Sequence, residues 1–269
     1  MEPVYRTIIG LARTVFFVEG LKFTVKGAEH IPARGGAVLA VNHTGYMDFT
    51  YAGIPVRTPK RYIRFMAKRE VFDNKISGPI MRALKHIPVD RSAGADSYKA
   101  AVRYLRDGEL VGVYPEATIS RSFEIKEFKS GAARMAIEAE VPIIPIVIWG
   151  AQRVWTKGFP KRLGRTNTPI SLAVGEPISP DGSAADLTAR LRSTMQELLE
   201  DLQRDYVHES GAYWVPARLG GGAPTLAEAD AMDVAEAKEK AAAKAARLSA
   251  TGNAVTTGDD DTAGDPTKP

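Results

Sequence analysis

The chain has 269 residues, 44% of them hydrophobic and 25% charged, enough to bury a sizeable core in one large domain or two small ones. It contains no Cys, which excludes disulfides, Cys-ligated zinc and a Cys nucleophile, and fits a cytoplasmic location. The formal charge of +4 is uneven: residues before Arg218 carry a net +7, whereas the segment from Arg218 onward has 6 basic and 9 acidic residues. A basic body suits an anionic partner such as a membrane surface, a phosphorylated substrate or a nucleic acid.

An apolar helix is expected over Val4 to Glu19, punctuated by Arg6 and Arg13. It is too interrupted for a membrane span or a signal-peptide core. Two readings stay open: a helix packed on the domain, or one lying in a membrane interface with its basic side toward headgroups. Phe23–Lys26 reads as a short strand ended by Gly27, and Ala37–Val41 as a buried strand. Helical spacing follows near Asp48–Ala52 and Ile76–Leu84. Ile87–Val89 reads as a strand, Ser97–Leu105 as a helix and Leu110–Tyr114 as a strand. Next come a helix over Ser130–Glu140, strands over Ile143–Trp149 and Ile170–Val174, and a long helix over Ala184–Val207. This alternation predicts a single α/β domain with a mostly parallel or mixed sheet flanked by helices. The expected organisation is an N-terminal amphipathic helix over 1–22, a domain over 23–215, and a linker, Ala-rich segment and disordered tail over 216–269. Gly220–Gly222 supplies the linker signal, and the acidic run Asp259–Asp261 marks the tail.

Polar clusters fall on the loops that follow strands, where α/β folds place their functional residues. Asn42-His-Thr-Gly-Tyr-Met-Asp48 puts His43 and Asp48 five residues apart in a turn entering a helix. An Asp bonded to one imidazole nitrogen fixes the tautomer and leaves the other nitrogen as a base; by spacing alone, such a pair is more often structural. Tyr114-Pro-Glu-Ala-Thr-Ile-Ser-Arg-Ser122 brings a carboxylate, hydroxyls and a guanidinium into one loop. Arg121 there either grips a phosphate or pairs internally with Glu116. Arg91 follows a strand and either points into the same mouth or pairs with Asp90. Lys68 and Lys129 are further candidate charges. No nucleophile elbow, nucleotide-binding glycine loop or zinc-protease motif is present, which weakens ATP, NAD and metal chemistry.

These blocks, in this order, resemble the glycerolipid acyltransferase family that includes 1-acyl-glycerol-3-phosphate acyltransferases. The family's N-H-x-x-x-x-D block matches Asn42–Asp48, its I-P-V-D-R block matches Ile87–Arg91, its F-P-E-G-T block matches Tyr114–Thr118 with changes, and its V-P-I-x-P block matches Val141–Pro145. The resemblance covers roughly residues 25–180. Departures are Lys85 and Ala117, where the family usually has Gly, and Ile119, where Arg commonly follows the Thr; Arg121 is the candidate replacement charge.

The resemblance implies transfer of a fatty acyl group from acyl-coenzyme A or acyl carrier protein to the free hydroxyl of 1-acyl-glycerol-3-phosphate, giving phosphatidate. It implies His43 as base, Asp48 as its partner, and Lys68, Arg91, Glu116, Ala117, Thr118, Arg121 and Lys129 around the acceptor. No metal or cofactor beyond the thioester co-substrate is implied. The expected setting is peripheral or monotopic on the cytoplasmic membrane face, with no nucleic-acid partner. The alternatives are another lysophospholipid or glycolipid acceptor, or a non-enzymatic peripheral membrane protein.

Overall fold

The computed structural model describes residues 2–90 and 94–255. The chain divides into two units, Met1–Ala223 and Pro224–Pro269. Among the described residues of the first, a seven-stranded sheet runs in the order β1-β7-β6-β2-β5-β3-β4. Its strands are β1 (Lys22–Lys26), β2 (Ala37–Val41), β3 (Ile63–Lys68), β4 (Ile87–Val89), β5 (Leu110–Val113), β6 (Ile143–Trp149) and β7 (Pro169–Val174). All neighbours are parallel except β6 and β7.

The helices are α1 (Pro3–Val18), α2 (Asp48–Tyr51), α3 (Arg69–Asp73), α4 (Ser77–Ala83), α5 (Gly94–Arg106), α6 (Gly131–Ala139), α7 (Ala184–Arg204) and α8 (Leu226–Val255). No helix of the described residues is long and apolar enough to cross a membrane. Side-chain alternation along β2 divides the core between two sheet faces. Val38 and Ala40 join α5, α6 and α7 in one cluster, while Ala37, Leu39 and Val41 join Phe16 of α1 and Tyr51 of α2 in the other. Central β2 and β6 are buried along their whole length, as expected where both faces of a parallel sheet are covered.

One strand was not expected. β3 carries Arg64 at its centre, and a charge there hides the apolar period. Arg64 is nonetheless 2% exposed. Its guanidinium meets both carboxylate oxygens of Glu2 at 2.8 and 2.6 Å, a Glu109 oxygen at 3.1 Å and the Leu84 carbonyl at 3.1 Å. The rings of Tyr5 and Tyr62 stack on one another at 4.4 Å beside it. This network ties the start of α1 to the sheet, and the Tyr5 hydroxyl adds a bond to the Ile63 carbonyl.

The expected boundary at 215/216 also moves. Gly220–Gly222 is packed rather than a linker: a Cβ on Gly221 would sit 2.0 Å from the Val215 carbonyl oxygen. Val215 and Ala223 lie in the core, so the compact unit extends to Ala223. In the second unit, Thr225 and Glu228 cap α8 reciprocally: the Thr hydroxyl accepts from the Glu228 N–H, and the Glu carboxylate accepts from the Thr225 N–H. Helix covers the Ala-rich segment and runs on through Val255, so residues 251–255, expected to begin the disordered tail, are helical. The part of the expected tail at 256–269 lies outside the described residues.

Candidate active site

Because β2, β5 and β6 are parallel, the loops leaving their carboxyl ends emerge at one sheet edge. The first carries His43, the second Glu116 to Arg121, and the third Ala151 to Trp155. Asn42 locks the first to β6, donating to the Ile148 carbonyl at 3.1 Å and accepting from the Ile148 N–H at 2.7 Å. Gly45 is required by close approach: a Cβ there would stand 3.0 Å from the Trp155 carbonyl oxygen and 3.2 Å from that of Ala151. The Tyr46 N–H donates to Trp155, and the Thr156 hydroxyl donates to the Thr44 carbonyl at 2.6 Å.

Within this frame His43 Nδ1 lies 3.0 Å from Asp48 Oδ2. The same oxygen accepts the backbone N–H groups of Thr44 and Gly45, both at 2.8 Å. Asp48 is fully buried, while His43 remains 20% exposed. Three donors converging on one oxygen hold the carboxylate in place, so the imidazole is oriented with Nδ1–H toward Asp48 and Nε2 as the acceptor. Among the described residues Nε2 has no hydrogen-bond partner. An imidazole with its tautomer set in this way and its second nitrogen open can act chemically as a general base toward a hydroxyl.

Glu116 occupies a different place from the acceptor-facing one expected of it. It is 5% exposed, and its two oxygens accept the N–H groups of His43 at 2.9 Å and Lys126 at 3.2 Å. Burial pushes its carboxyl up to about 8, with these two N–H bonds pulling the other way. Glu116 thus braces the His43 loop from behind, aided by the Ser120 N–H donating to the His43 carbonyl at 2.7 Å.

Ala117 is exposed with φ +60°, a left-handed conformation that explains why Gly suits this position. Ile119 is buried, so it offers no polar group to the mouth. Arg121 is half-buried and extends to the third loop; a Cβ on Gly158 would lie 3.1 Å from its Nη1. Thr118 is half-buried in the second loop. Lys129 is exposed, and its N–H is bonded to the Pro115 carbonyl. Lys68 is exposed at the carboxyl end of β3, on the same sheet edge. Arg91 lies outside the described residues.

Two further features escaped the sequence reading. The Tyr114 ring stacks on the His43 imidazole, with centroids 4.0 Å apart and planes at 20°. Beneath α1 lies a largely apolar cleft of about 370 Å³ lined by residues such as Ile9, Phe16, Phe49 and Phe65. Phe65, which lines the cleft, stacks on Tyr114, so one ring separates the cleft from the ring that meets His43. His86 also lines it; burial, with the Arg64 charge second, holds its imidazole down at about 4. It is therefore neutral at ordinary pH, and its Nδ1 accepts the Phe65 N–H at 3.0 Å.

Comparison with known proteins identifies the family. The model of the Acyltransferase family matches residues 22–149. The 1-acyl-sn-glycerol-3-phosphate acyltransferase of Bacillus subtilis (strain 168) is 32% identical over 158 residues, 57% of this chain and 72% of that protein. The protein of the same name from Limnanthes douglasii is 30% identical over 190 residues, covering 68% of this chain and 63% of that protein. The crystal structure of the 1-acyl-sn-glycerophosphate (LPA) acyltransferase PlsC from Thermotoga maritima superposes with a TM-score of 0.61 at 23% identity, over 76% of this chain and 81% of that chain. The chain belongs to the glycerolipid acyltransferase family, a family of acyl-transferring enzymes.

Proposed function

We propose that this enzyme transfers a fatty acyl group from acyl-coenzyme A or acyl carrier protein to the free hydroxyl of 1-acyl-glycerol-3-phosphate, producing phosphatidate for phospholipid synthesis. The observation that carries the reading is the Asp48-oriented, partly exposed imidazole of His43. His43 Nε2 takes the hydroxyl proton as the oxygen attacks the thioester carbonyl, a contribution typically worth about 10²–10⁴ in rate. Asp48 stabilises the resulting imidazolium. The tetrahedral intermediate collapses by breaking its C–S bond, and the imidazolium returns a proton to the departing thiolate, a far better leaving group than an alkoxide. This route requires no covalent acyl-enzyme.

Arg121, Lys68, Thr118, Lys129 and Arg91 are assigned to the acceptor phosphate. Holding it in line with the base lowers the entropic barrier. The cleft under α1 suits an acyl chain, being apolar and separated from His43 only by the rings of Phe65 and Tyr114. Peripheral attachment to the cytoplasmic membrane face is supported by two neighbouring surfaces. On α1, Leu11, Phe17 and Val18 are 61%, 78% and 60% exposed. In the third loop, residues 157–165 carry four basic and no acidic side chains, with Leu163 exposed among them. Exposed apolar side chains together with a basic, acid-free segment suit an anionic bilayer surface.

A second acceptor, another lysophospholipid or a glycolipid, is kept open by one observation: Ile119 is buried and uncharged where the family commonly has a cation. The full chain, supplied in mixed micelles with acyl-coenzyme A or acyl carrier protein and an acceptor panel, should form phosphatidate from lysophosphatidate fastest. His43→Ala should cut turnover at least 10²-fold while leaving the thermal midpoint near its original value. Near-normal turnover in that variant would sink the mechanism, and preference for a different acceptor would sink the assigned substrate.

A further inference from the structure

We propose that Tyr114 is a positioning residue for the transfer: its ring is the platform that holds the His43 imidazole upright and whose π face stabilises the imidazolium formed when His43 takes the hydroxyl proton. The inference rests on the reading of His43 as base. A single hydrogen bond to Asp48 sets the direction of Nδ1 but leaves the ring able to tilt about that bond. A parallel ring 4.0 Å away at 20° removes the remaining freedom. The platform is itself fixed. Phe65, 5% exposed on β3, lies behind Tyr114 with planes at 14° and centroids 5.9 Å apart. Phe49 and His86 meet Phe65 edge-on from other elements. The three stacked rings Phe65, Tyr114 and His43 therefore form a column running from the apolar cleft to the base.

The hydroxyl of Tyr114 has no part in this. It is buried and without a hydrogen-bond partner among the described residues. Burial, followed by the Asp48 charge, holds its ionisation well above the ordinary phenol range, so it is no proton source. What remains is the π face. A neutral imidazole gains ordinary stacking from it, whereas an imidazolium gains additional attraction from the ring quadrupole. That difference favours the state that develops during attack, which is the condition for lowering a barrier. A residue acting this way changes turnover more than substrate affinity.

The test uses the full chain in mixed micelles with acyl-coenzyme A and lysophosphatidate. Tyr114→Met and Tyr114→Leu remove the face; Tyr114→Phe keeps it and deletes only the hydroxyl. Expected is a 10- to 100-fold fall in kcat for Met and Leu, with KM for both substrates within threefold. Phe should restore kcat to within threefold. In a His43→Ala background, Tyr114→Met should cost no further rate, because the charge it serves no longer forms. The proposal is overturned if folded Met or Leu variants keep kcat within threefold, if Phe loses as much as they do, or if the loss persists undiminished in the His43→Ala background. Should His43→Ala itself retain activity, the assignment of the base has failed, a result separate from any of these.

Discussion

The His43 loop and the flank under α1 lie in the same domain but are held by contrasting means. The loop is fixed by short polar contacts to buried groups: three donors on Asp48 Oδ2, two on Glu116 and a reciprocal pair on Asn42. The flank is apolar and leaves a cleft of about 370 Å³; its polar attachment is concentrated near the helix start, where Glu2 meets Arg64 and Tyr5 meets Ile63. Buried hydrogen bonds have narrow geometry and fix atoms within a fraction of an ångström, which suits a base. Apolar contacts are non-directional and tolerate occupants of different length, which suits an acyl chain. Polar changes in the loop should therefore strike turnover, and changes at the latch should strike stability.

The largest effect is expected for Asp48→Asn. An amide oxygen can keep some of the backbone donors, but it cannot stabilise an imidazolium as a carboxylate does. Turnover should fall by about 10²–10⁴, with about 1–3 kcal/mol of stability lost through weakened bonds to buried N–H groups. Arg64→Met should show the opposite profile. About 2–4 kcal/mol of stability should disappear with kcat within a few-fold. The loss falls below that of a fully orphaned buried ion because Glu2 and Glu109 are 21% and 32% exposed. Arg64 holds the Glu2 carboxyl down at about 2. That contribution is thus present above the ordinary carboxylate value of 4.5 and lost as pH falls toward 2. Chemical denaturation and steady-state kinetics on both variants check the contrast; a turnover collapse in Arg64→Met would erase it.

Glu116 gives a pH-dependent test inside the loop. Its folded-state ionisation is raised from 4.5 to about 8, so the folded protein binds the extra proton. Stability from this group is full below about pH 4.5 and declines as pH rises toward 8. The decline should be on the order of 2–4 kcal/mol. Glu116→Gln should flatten that slope in denaturation curves collected between pH 5 and 8. A slope unchanged by the substitution would assign the pH dependence to another group.

The contrast also explains what was readable in the sequence. His43 and Asp48 sit within one turn, so their pairing was local and the family block around them supplied the reading, and the buried strands β2, β5 and β6 carry continuous apolar runs. The role of Glu116 depends on partners at His43 and Lys126, 73 and 10 residues away, and no local pattern encodes that. β3 was concealed because Arg64 reads as a solvated residue, although Glu2, Glu109 and two tyrosines enclose it. Gly220–Gly222 has linker composition, but Gly221 is set tightly against Val215. In each case the missing information was which distant segment supplies the partner.

The smallest expected effect concerns Ala117, at the exposed tip of the second loop. Its φ of +60° places a Cβ in the left-handed region, at a cost of roughly 1–2 kcal/mol for a residue other than Gly. Ala117→Gly removes that strain but gives the unfolded chain more freedom, an opposing term of about 0.5–1 kcal/mol. The net gain should be about 0.5–1 kcal/mol, a rise in Tm of roughly 1–4 °C for a domain of this size. The adjoining Glu116 keeps the loop anchored through the His43 and Lys126 N–H groups, so the gain should appear without repacking of the mouth. A fall in Tm would mean that the Ala117 methyl packs against something worth more than its backbone strain, and that the loop tip is held by apolar contact as the α1 flank is.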